Sequence, residues 1–113
     1  MLELITAVIK PHKLDDVKAA LLANGVEGMT ITEVTGFGRQ RGKTENFRGS
    51  EYQIDLIPKV KVEIIVPSDL ADGLITVIAD AAKTGKIGDG KVWRFAITSL
   101  LRVRTGEMDV EAL

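Results

Sequence analysis

The chain has 113 residues, 45% of them apolar, which is enough to build the core of one domain. Its formal net charge of −1 gives no bulk attraction to nucleic acid or to an anionic membrane surface. Cysteine is absent, which excludes disulfides and thiolate sites. Because the sequence shows neither a basic leader nor an apolar run long enough to cross a membrane, we expect a cytoplasmic protein without direct membrane insertion.

The first third of the chain predicts a strand, a helix and a second strand. Residues 2–9 contain enough β-branched and aliphatic residues to predict a strand, and both faces of that strand are partly apolar. Apolar side chains then recur at helical spacing, namely Leu14, Val17, Ala20 and Leu21. Asn24 and Gly25 form a typical helix stop, and residues 30–35, rich in Thr, Ile and Val, predict the second strand.

A stretch without apolar periodicity follows at residues 36–51. Loops of this length are unusual inside a compact domain and tend to be functional or disordered. We therefore predict a long, flexible, exposed loop over about residues 37–54.

The third strand is predicted from Tyr52 onward. Its apolar residues alternate with charged ones and share one face, namely Val60, Val62, Ile64 and Val66. Pro58 cannot donate to a ladder, so pairing there is expected to be irregular or at an edge.

A second helix and a fourth strand complete the chain. Ser68 is a plausible N-cap, and Gly85 is the predicted stop. The apolar face of this helix is predicted to consist of Leu70, Leu74, Val77, Ile78 and Ala81. Trp93, Phe95 and Ile97 alternate in the fourth strand, which is expected to continue or bend into residues 101–104.

The predicted order is β-α-β-β-α-β, an α+β ferredoxin-like sandwich over a single domain of residues 1–113. Two helices can cover only one face of such a sheet. Because the first strand is apolar on both faces, a second copy of the chain is the simplest cover for the other face, so a homo-oligomer is predicted.

The most informative motif is T-G-K-I-G-D-G-K at residues 84–91, with three glycines and two lysines. Glycines let backbone N–H groups approach a ligand closely, and lysines add positive charge, which together indicate a phosphate site. Residues 85–91 spell the start of a P-loop, G-x-x-x-x-G-K, but Val92 stands where Ser or Thr should bind magnesium. The element order is also reversed, from helix into strand, so a P-loop is not predicted; a helix stop with solvated lysines is the alternative.

Two further basic groups accompany this motif. G-F-G-R-Q-R-G at residues 36–42 offers exposed amides and two arginines, and Gln40 could ligate a hard cation. Arg102 and Arg104 are spaced to share one face of a strand, with Arg94 in line, which suits a triphosphate. A solvated loop and a solvated strand face are the alternatives.

Residues for catalysis are scarce. His12 is the only histidine and is expected to be capping or solvated. No Ser-His-Asp set or cluster with metal-ligand spacing is evident, and no residue presents itself to position water. We therefore predict that the protein is not an enzyme.

With these positions in view, the chain resembles the PII family of nitrogen signal-transduction proteins over residues 5–107. The segments that carry the resemblance are I-K-P-H-K-L-D-D-V, G-M-T-I-T-E-V-T-G-F-G-R-Q-R-G, R-G-S-E-Y, P-K-V-K-V-E-I, T-G-K-I-G-D-G-K-V-W and V-R-T-G-E. The resemblance implies a homotrimer with nucleotide sites in the clefts between subunits, where ATP and ADP compete.

The resemblance also implies which residues bind each ligand. The implied nucleotide contacts are Gly36, Gly38, Arg39, Gly88, Asp89, Gly90 and Lys91 of one subunit, completed by Thr30, Glu63, Arg102 and Arg104, the arginines reaching from the neighbouring subunit. The implied 2-oxoglutarate contacts are Gln40, Arg41, Gly42 and Lys59. Lys59 is expected to pair with the distal carboxylate, and Mg²⁺ to be held by the phosphates, Gln40 and 2-oxoglutarate.

The long loop is expected to report the bound ligands to partners. Tyr52 matches a tyrosine that relatives uridylylate or adenylylate, and Ser50 a serine that some relatives phosphorylate. Arg48 matches the residue that enters an ammonium transporter, which implies recruitment to the membrane. The other expected partners are nitrogen-metabolism enzymes or a nucleotidyltransferase. Lys43, Phe47 and Arg94 depart from the residues usual in the family.

An RNA-recognition module shares this element order and is the main alternative. It requires stacking aromatic residues on the sheet and a basic surface, whereas this chain has five aromatic residues and a net charge of −1. A trimeric metal-tolerance protein would need His or Cys ligands, and slow ATP hydrolysis would be a side activity only.

Overall fold

The structure is a computed structural model that describes residues 1–38 and 56–113. The described residues form the predicted order of strands and helices. These are β1 (Leu2–Ile9), α1 (Leu14–Ala23), β2 (Thr30–Gly36), β3 (Ile57–Pro67), α2 (Ser68–Ala82) and β4 (Lys91–Ile97). Short 3₁₀ turns at Pro11–Lys13 and Asp109–Ala112 lie before α1 and near the last residue.

The strands form one antiparallel sheet in the order β2-β3-β1-β4. The two central strands are β1 and β3; helix α1 connects β1 to the edge strand β2, and helix α2 connects β3 to the edge strand β4. The α+β class and the β-α-β-β-α-β order predicted from the sequence are therefore confirmed, while the homotrimer stays a prediction.

The core lies between the helices and one face of the sheet. Strand β3 contributes the four predicted side chains, Val60, Val62, Ile64 and Val66, and all are buried. Strand β1 adds Ile5, Ala7 and Ile9, and the helices add Val17, Leu21, Leu74 and Ile78. Each fully buried aliphatic side chain contributes about 1.5–3 kcal/mol from removal of its surface from water.

Strand β3 begins at Ile57, later than predicted, since Leu56 precedes the strand and residues 52–55 lie outside the described part. Pro58 pairs with Thr35 of β2, but the ladder with β1 extends only to the pair Ile9–Val60. Pro58 therefore lies where β3 has a neighbour on one side only, as a residue without an N–H requires.

Helix α2 differs from the prediction at both ends. Ser68 is its first residue rather than its N-cap, and the Ser68 N–H donates to the Met1 carbonyl at 2.9 Å. The buried stripe runs through Ala71, Leu74, Ile78 and Ala82, whereas Leu70, predicted to face the core, is 52% exposed. The helix ends at Ala82, three residues before Gly85. The N–H groups of Thr84 and Gly85 donate to the Asp89 carboxylate instead of continuing the helix.

The second face of the sheet, opposite the helices, carries apolar side chains that the described residues leave partly uncovered. The register places Phe95 beside Leu4 and Trp93 beside Thr6. Phe95 is 62% exposed and Trp93 39% exposed. We call this surface the open face of the sheet.

The end of β4 is a further difference. The strand stops at Ile97 and does not continue to Arg104. The chain turns back on itself, with the Gly106 N–H donating to the Arg102 carbonyl and an isolated bridge between Leu101 and Met108. The two arginines therefore do not share a strand face, as the sequence had suggested.

Arg94 is not in line with Arg102 and Arg104 either. It lies on β4 beside Ile5, on the helix-covered side of the sheet. Its Nε is 2.8 Å from Glu3 Oε1, and its Nη1 pairs with the Asp72 carboxylate of α2. Arg94 thus joins β1, β4 and α2 through two carboxylates.

None of the helices in the described ranges is both long and apolar enough to cross a membrane.

Candidate functional site

The segment at residues 84–91, here called the glycine loop, connects α2 to β4. Three of its glycines have positive φ, namely Gly85, Gly88 and Gly90, with values of 85°, 94° and 100°. At Gly90 the backbone lies directly against β1, because a Cβ placed there would be 1.8 Å from the Val8 carbonyl oxygen. The glycine loop is therefore fixed against the sheet at a position that only glycine can occupy.

The Asp89 side chain organises this loop from within. Its Oδ2 accepts the N–H groups of Thr84 and Gly85, both at 2.8 Å. Its Oδ1 accepts the Thr84 hydroxyl at 2.5 Å and lies 3.3 Å from Lys10 Nζ. These bonds, chiefly those from Thr84, hold the pKa of the Asp89 carboxyl well below its usual range.

Lys59 approaches the same loop from β3. Its Nζ donates to the Gly88 carbonyl at 2.5 Å. Burial and then the positive charge of Lys10 lower the pKa of the Lys59 ammonium, against the opposing effect of Asp89. The glycine loop is thus flanked by two lysines, Lys10 directly after β1 and Lys59 on β3.

A cavity of about 640 Å³ opens at this place. Its walls are residues 88–91, Lys59, the segment Gly36, Phe37 and Gly38 at the end of β2, and the apolar side chains of Val8, Ile87 and Trp93. Such a volume, largely apolar with a few converging polar groups, is typical of small-molecule sites. Of the predicted residues, the structure brings together Gly36, Gly38, Lys59, Gly88, Asp89, Gly90 and Lys91.

Thr30 and Glu63 lie elsewhere. They are cross-strand neighbours and line a second cavity of about 410 Å³ together with Val26, Met29 and Leu100. Glu63 is four residues from Lys59 along β3, or about 13 Å at the rise of a strand. Its Oε2 accepts the hydroxyl of Thr6, a buried polar residue on β1, at 2.9 Å.

Arg102 and Arg104 are also remote from the glycine loop. Strand β4 separates them from it by seven residues, about 20 Å of extended chain. Arg102 Nη1 lies 3.1 Å from Glu107 Oε1, and its Nη2 donates to the Leu113 carbonyl. Arg104 lies in the exposed turn that follows. Within one chain, the residues expected to bind nucleotide therefore form two separate groups.

Several predicted site residues lie outside the described residues, namely Arg39, Gln40, Arg41, Gly42, Arg48, Ser50 and Tyr52. Their expected roles in binding, modification and partner contact stay predictions. Among residues 1–38 and 56–113, no three His, Asp or Glu side chains converge as a metal site.

Sequence reasoning did not identify three residues that the structure places at these sites. Thr84 is part of the glycine motif, but its hydrogen bonds to Asp89 were not predicted. The T-x-x-x-x-D spacing is a weak signal for such a bond across the turn. Thr6 is a lone hydroxyl in an apolar strand, which is a signal for a buried hydrogen bond. Lys10 had no signal, because it meets the glycine loop only in the folded chain.

Comparisons with known proteins identify the family of the chain. The family model for "Nitrogen regulatory protein P-II" matches residues 2–107. The chain is 55% identical over 109 residues to nitrogen regulatory protein P-II 1 of Escherichia coli K12, covering 96% of this chain and 97% of the relative. It is 52% identical over 112 residues to nitrogen regulatory protein P-II of Rhizobium etli, covering 99% of this chain and all of the relative.

A solved structure is similar over the whole fold. The crystal structure of Arabidopsis thaliana PII bound to citrate matches with a TM-score of 0.82 and 33% identity, covering 99% of this chain and 92% of that one. The resemblance stated from the sequence is confirmed by these matches. The chain belongs to the P-II family of nitrogen regulatory proteins, which are signal transducers rather than enzymes.

Proposed function

We propose that this protein senses ATP, ADP and 2-oxoglutarate at clefts between its subunits and reports their levels to partners in nitrogen assimilation. The observation that carries the proposal is the glycine loop, which is already shaped and lies between Lys10 and Lys59 beside a cavity of ligand size. A loop of this kind offers backbone amides to phosphate without reorganisation.

The loop's own hydrogen bonds indicate where phosphate would bind. The N–H groups of Thr84 and Gly85 donate to Asp89, and the Lys86 N–H donates to the Thr84 hydroxyl. Phosphate would therefore meet the later part of the loop, residues 88–91, where the Lys91 ammonium adds positive charge. Arg39, at the base of the long loop, is proposed to add a second cation.

The two separated groups of residues support a site shared between subunits. The glycine loop of one subunit would face Thr30, Glu63, Arg102 and Arg104 of its neighbour. The open face of the sheet, with Trp93 and Phe95 partly uncovered, supplies apolar surface that subunit contact would bury. A homotrimer is the assembly that we propose.

Lys59 is proposed to bind the distal carboxylate of 2-oxoglutarate when Mg-ATP is present. Gln40, Arg41 and Gly42 are proposed to contribute the remaining contacts, and Gln40 to ligate Mg²⁺ together with the ATP phosphates. A dicarboxylate beside a triphosphate needs nearby cations to offset the repulsion, and Mg²⁺ with Lys59 provides them. Citrate, which the Arabidopsis relative binds, is likewise a carboxylate ligand.

The loop over residues 37–54 is proposed to change arrangement with these ligands and to be read by partners. Arg48 is its proposed contact with an ammonium transporter. Tyr52 is proposed to be modified by a nucleotidyltransferase, and Ser50 is proposed to be phosphorylated. We propose that the protein works in the cytoplasm and reaches the membrane through the transporter.

The test is calorimetric titration of 2-oxoglutarate into the protein with and without Mg-ATP. Binding that requires Mg-ATP is the expected result, because ATP and Mg²⁺ complete the effector site. Lys59→Gln should abolish it, whereas Lys18→Gln, which removes the same charge on α1, should not. Failure of the wild-type protein to bind ATP would refute the nucleotide function, and 2-oxoglutarate binding that survives Lys59→Gln would refute the placement of the effector.

A further inference from the structure

The Asp89 carboxylate has no acceptor capacity left for a ligand. A carboxylate offers about four lone-pair positions. Four donors occupy them, two on each oxygen: the Thr84 N–H and Gly85 N–H on Oδ2, and the Thr84 hydroxyl and Lys10 Nζ on Oδ1. The side chain therefore holds the loop, which leaves the backbone of Asp89 as the part most available to a nucleotide.

The Thr84 hydroxyl is saturated in the same way. It donates its proton to Asp89 and accepts the Lys86 N–H at 3.1 Å and Lys10 Nζ at 3.2 Å. Lys10 is thus the only group outside the loop, among the described residues, that both side chains share. It reaches them from the end of β1, across 74 positions of sequence to Thr84.

The charge balance of the loop also depends on Lys10. Asp89 places a negative charge in a segment that has to accept phosphate, and like charges at close range repel. The Lys10 ammonium lies on that carboxylate with a side chain only 17% exposed, so the pair is less screened than a surface ion pair. Lys10 follows Val8 and Ile9 on the chain, and the Val8 carbonyl lies under Gly90. The end of β1 therefore contacts the loop on both sides of Asp89: Lys10 contacts Thr84, and the Val8 carbonyl lies against Gly90.

We propose that Lys10 is a positioning residue of the phosphate site: acting through Asp89 and Thr84, it closes the glycine loop before any ligand binds and neutralises the loop's own carboxylate. This inference rests on the proposed nucleotide function for its consequence in binding. The closed loop itself is a property of the free protein.

The test compares Lys10→Met, which keeps the length of the side chain but removes the ammonium, with Lys10→Arg, which restores a cation. Lys13→Met is the matched control, because Lys13 forms an exposed ion pair with Asp16 at 3.2 Å in the same segment. Amide hydrogen exchange at Thr84 and Gly85 reports loop closure in the free protein. Mg-ATP titration reports the consequence.

Lys10→Met should speed exchange of these two amides about tenfold and leave the β1–β3 ladder amides unchanged. It should also weaken Mg-ATP binding about fivefold, because the Asp89 carboxylate left without its cation repels the phosphates. Lys10→Arg should return both the exchange rates and the Mg-ATP affinity most of the way to the wild-type values, and Lys13→Met should change neither.

Unchanged exchange at Thr84 and Gly85 in Lys10→Met would overturn the proposal, whatever happens to ATP affinity. An affinity loss confined to ATP, with exchange unchanged, would make Lys10 a direct phosphate ligand. Faster exchange throughout the sheet would reduce its role to general stability. If the wild-type protein binds no nucleotide, the proposed function fails, but the exchange comparison still decides whether Lys10 closes the loop.

A second variant guards against misfolding of the first. Asp89→Asn keeps the shape of the side chain but offers one acceptor oxygen and an NH₂ group that faces donors. It should reproduce the exchange pattern of Lys10→Met. The wild-type preference for ATP over its 2′-deoxy and 3′-deoxy analogues should be unchanged in Asp89→Asn; a changed preference would show that Asp89 contacts the ribose directly and overturn its positioning role.

Discussion

Replacing Gly90 with alanine separates the two constraints that act on this glycine. Its φ of 100° is unfavourable for any residue with a Cβ. The added Cβ would also stand 1.8 Å from the Val8 carbonyl oxygen and 2.9 Å from its carbon, distances at which the atoms cannot coexist. Either the glycine loop or the end of β1 has to move.

The magnitude follows from these two parts. A left-handed backbone conformation costs about 1–2 kcal/mol for a residue with a Cβ. Forcing extra volume into packed structure adds about 1–3 kcal/mol. Gly90→Ala should therefore lower the free energy of unfolding by about 2–5 kcal/mol, a large share of the about 5–15 kcal/mol of a typical domain.

Two other glycines supply the controls. Gly85 has a φ of 85°, but a Cβ there meets nothing within 4 Å, so Gly85→Ala should cost only the backbone part, about 1–2 kcal/mol. Gly73 lies inside α2 with open space around it, and Gly73→Ala should stabilise the protein by about 0.5–1 kcal/mol.

The assay is urea unfolding of the three variants and the wild-type protein at one fixed protein concentration, because association would make the measured stability depend on concentration. The order Gly90→Ala, Gly85→Ala, wild type, Gly73→Ala, from least to most stable, is expected. A Gly90→Ala variant within about 0.5 kcal/mol of Gly85→Ala would refute the close contact with Val8.

Three further substitutions test the packing. Ile78→Ala should cost about 2–5 kcal/mol in urea unfolding because the side chain is buried, whereas Leu70→Ala should cost less than about 1 kcal/mol; equal losses would contradict the observed face of α2. Thr6→Val keeps the volume but removes the donor to the Glu63 carboxylate, and should cost about 1–3 kcal/mol, against about 0.5 kcal/mol or less for the exposed Thr76→Val. Arg94→Leu should cost about 1 kcal/mol or less because the ion pairs with Glu3 and Asp72 are partly exposed, and the difference from wild type should shrink in about 1 M salt; a loss independent of salt would assign Arg94 a packing role instead.

Local patterns predicted the strands and helices well because each pattern arises from neighbours in sequence. The alternation Val60, Val62, Ile64, Val66 has one buried face wherever the strand is placed, and Asn24-Gly25 ends α1 through local backbone preferences. The motif at residues 84–91 likewise identified the glycine loop.

The errors have tertiary causes. Helix α2 was expected to reach Gly85. The N–H groups of Thr84 and Gly85 bond to the Asp89 carboxylate instead of to helix carbonyls, so the helix ends earlier. Arg102 and Arg104 were assigned to one strand face because nothing local reveals the turn closed by Gly106. The roles of Lys10 and Thr6 depend on partners 57 or more positions away, which a single sequence does not display.

The bond from Lys59 to the Gly88 carbonyl has a consequence for how tightly an anion can bind there. The ammonium is not idle in the free protein, since it already has a partner at 2.5 Å. Capture of a carboxylate by Lys59 is therefore an exchange of one oxygen for another, and its free energy is the difference between two contacts of similar kind. Such a difference is small and easily changed, which would suit the proposed role of a sensor that releases its ligand when concentrations fall. The exchange would also leave the Gly88 carbonyl without its lysine partner, so ligand binding at Lys59 would change a hydrogen bond within the glycine loop itself.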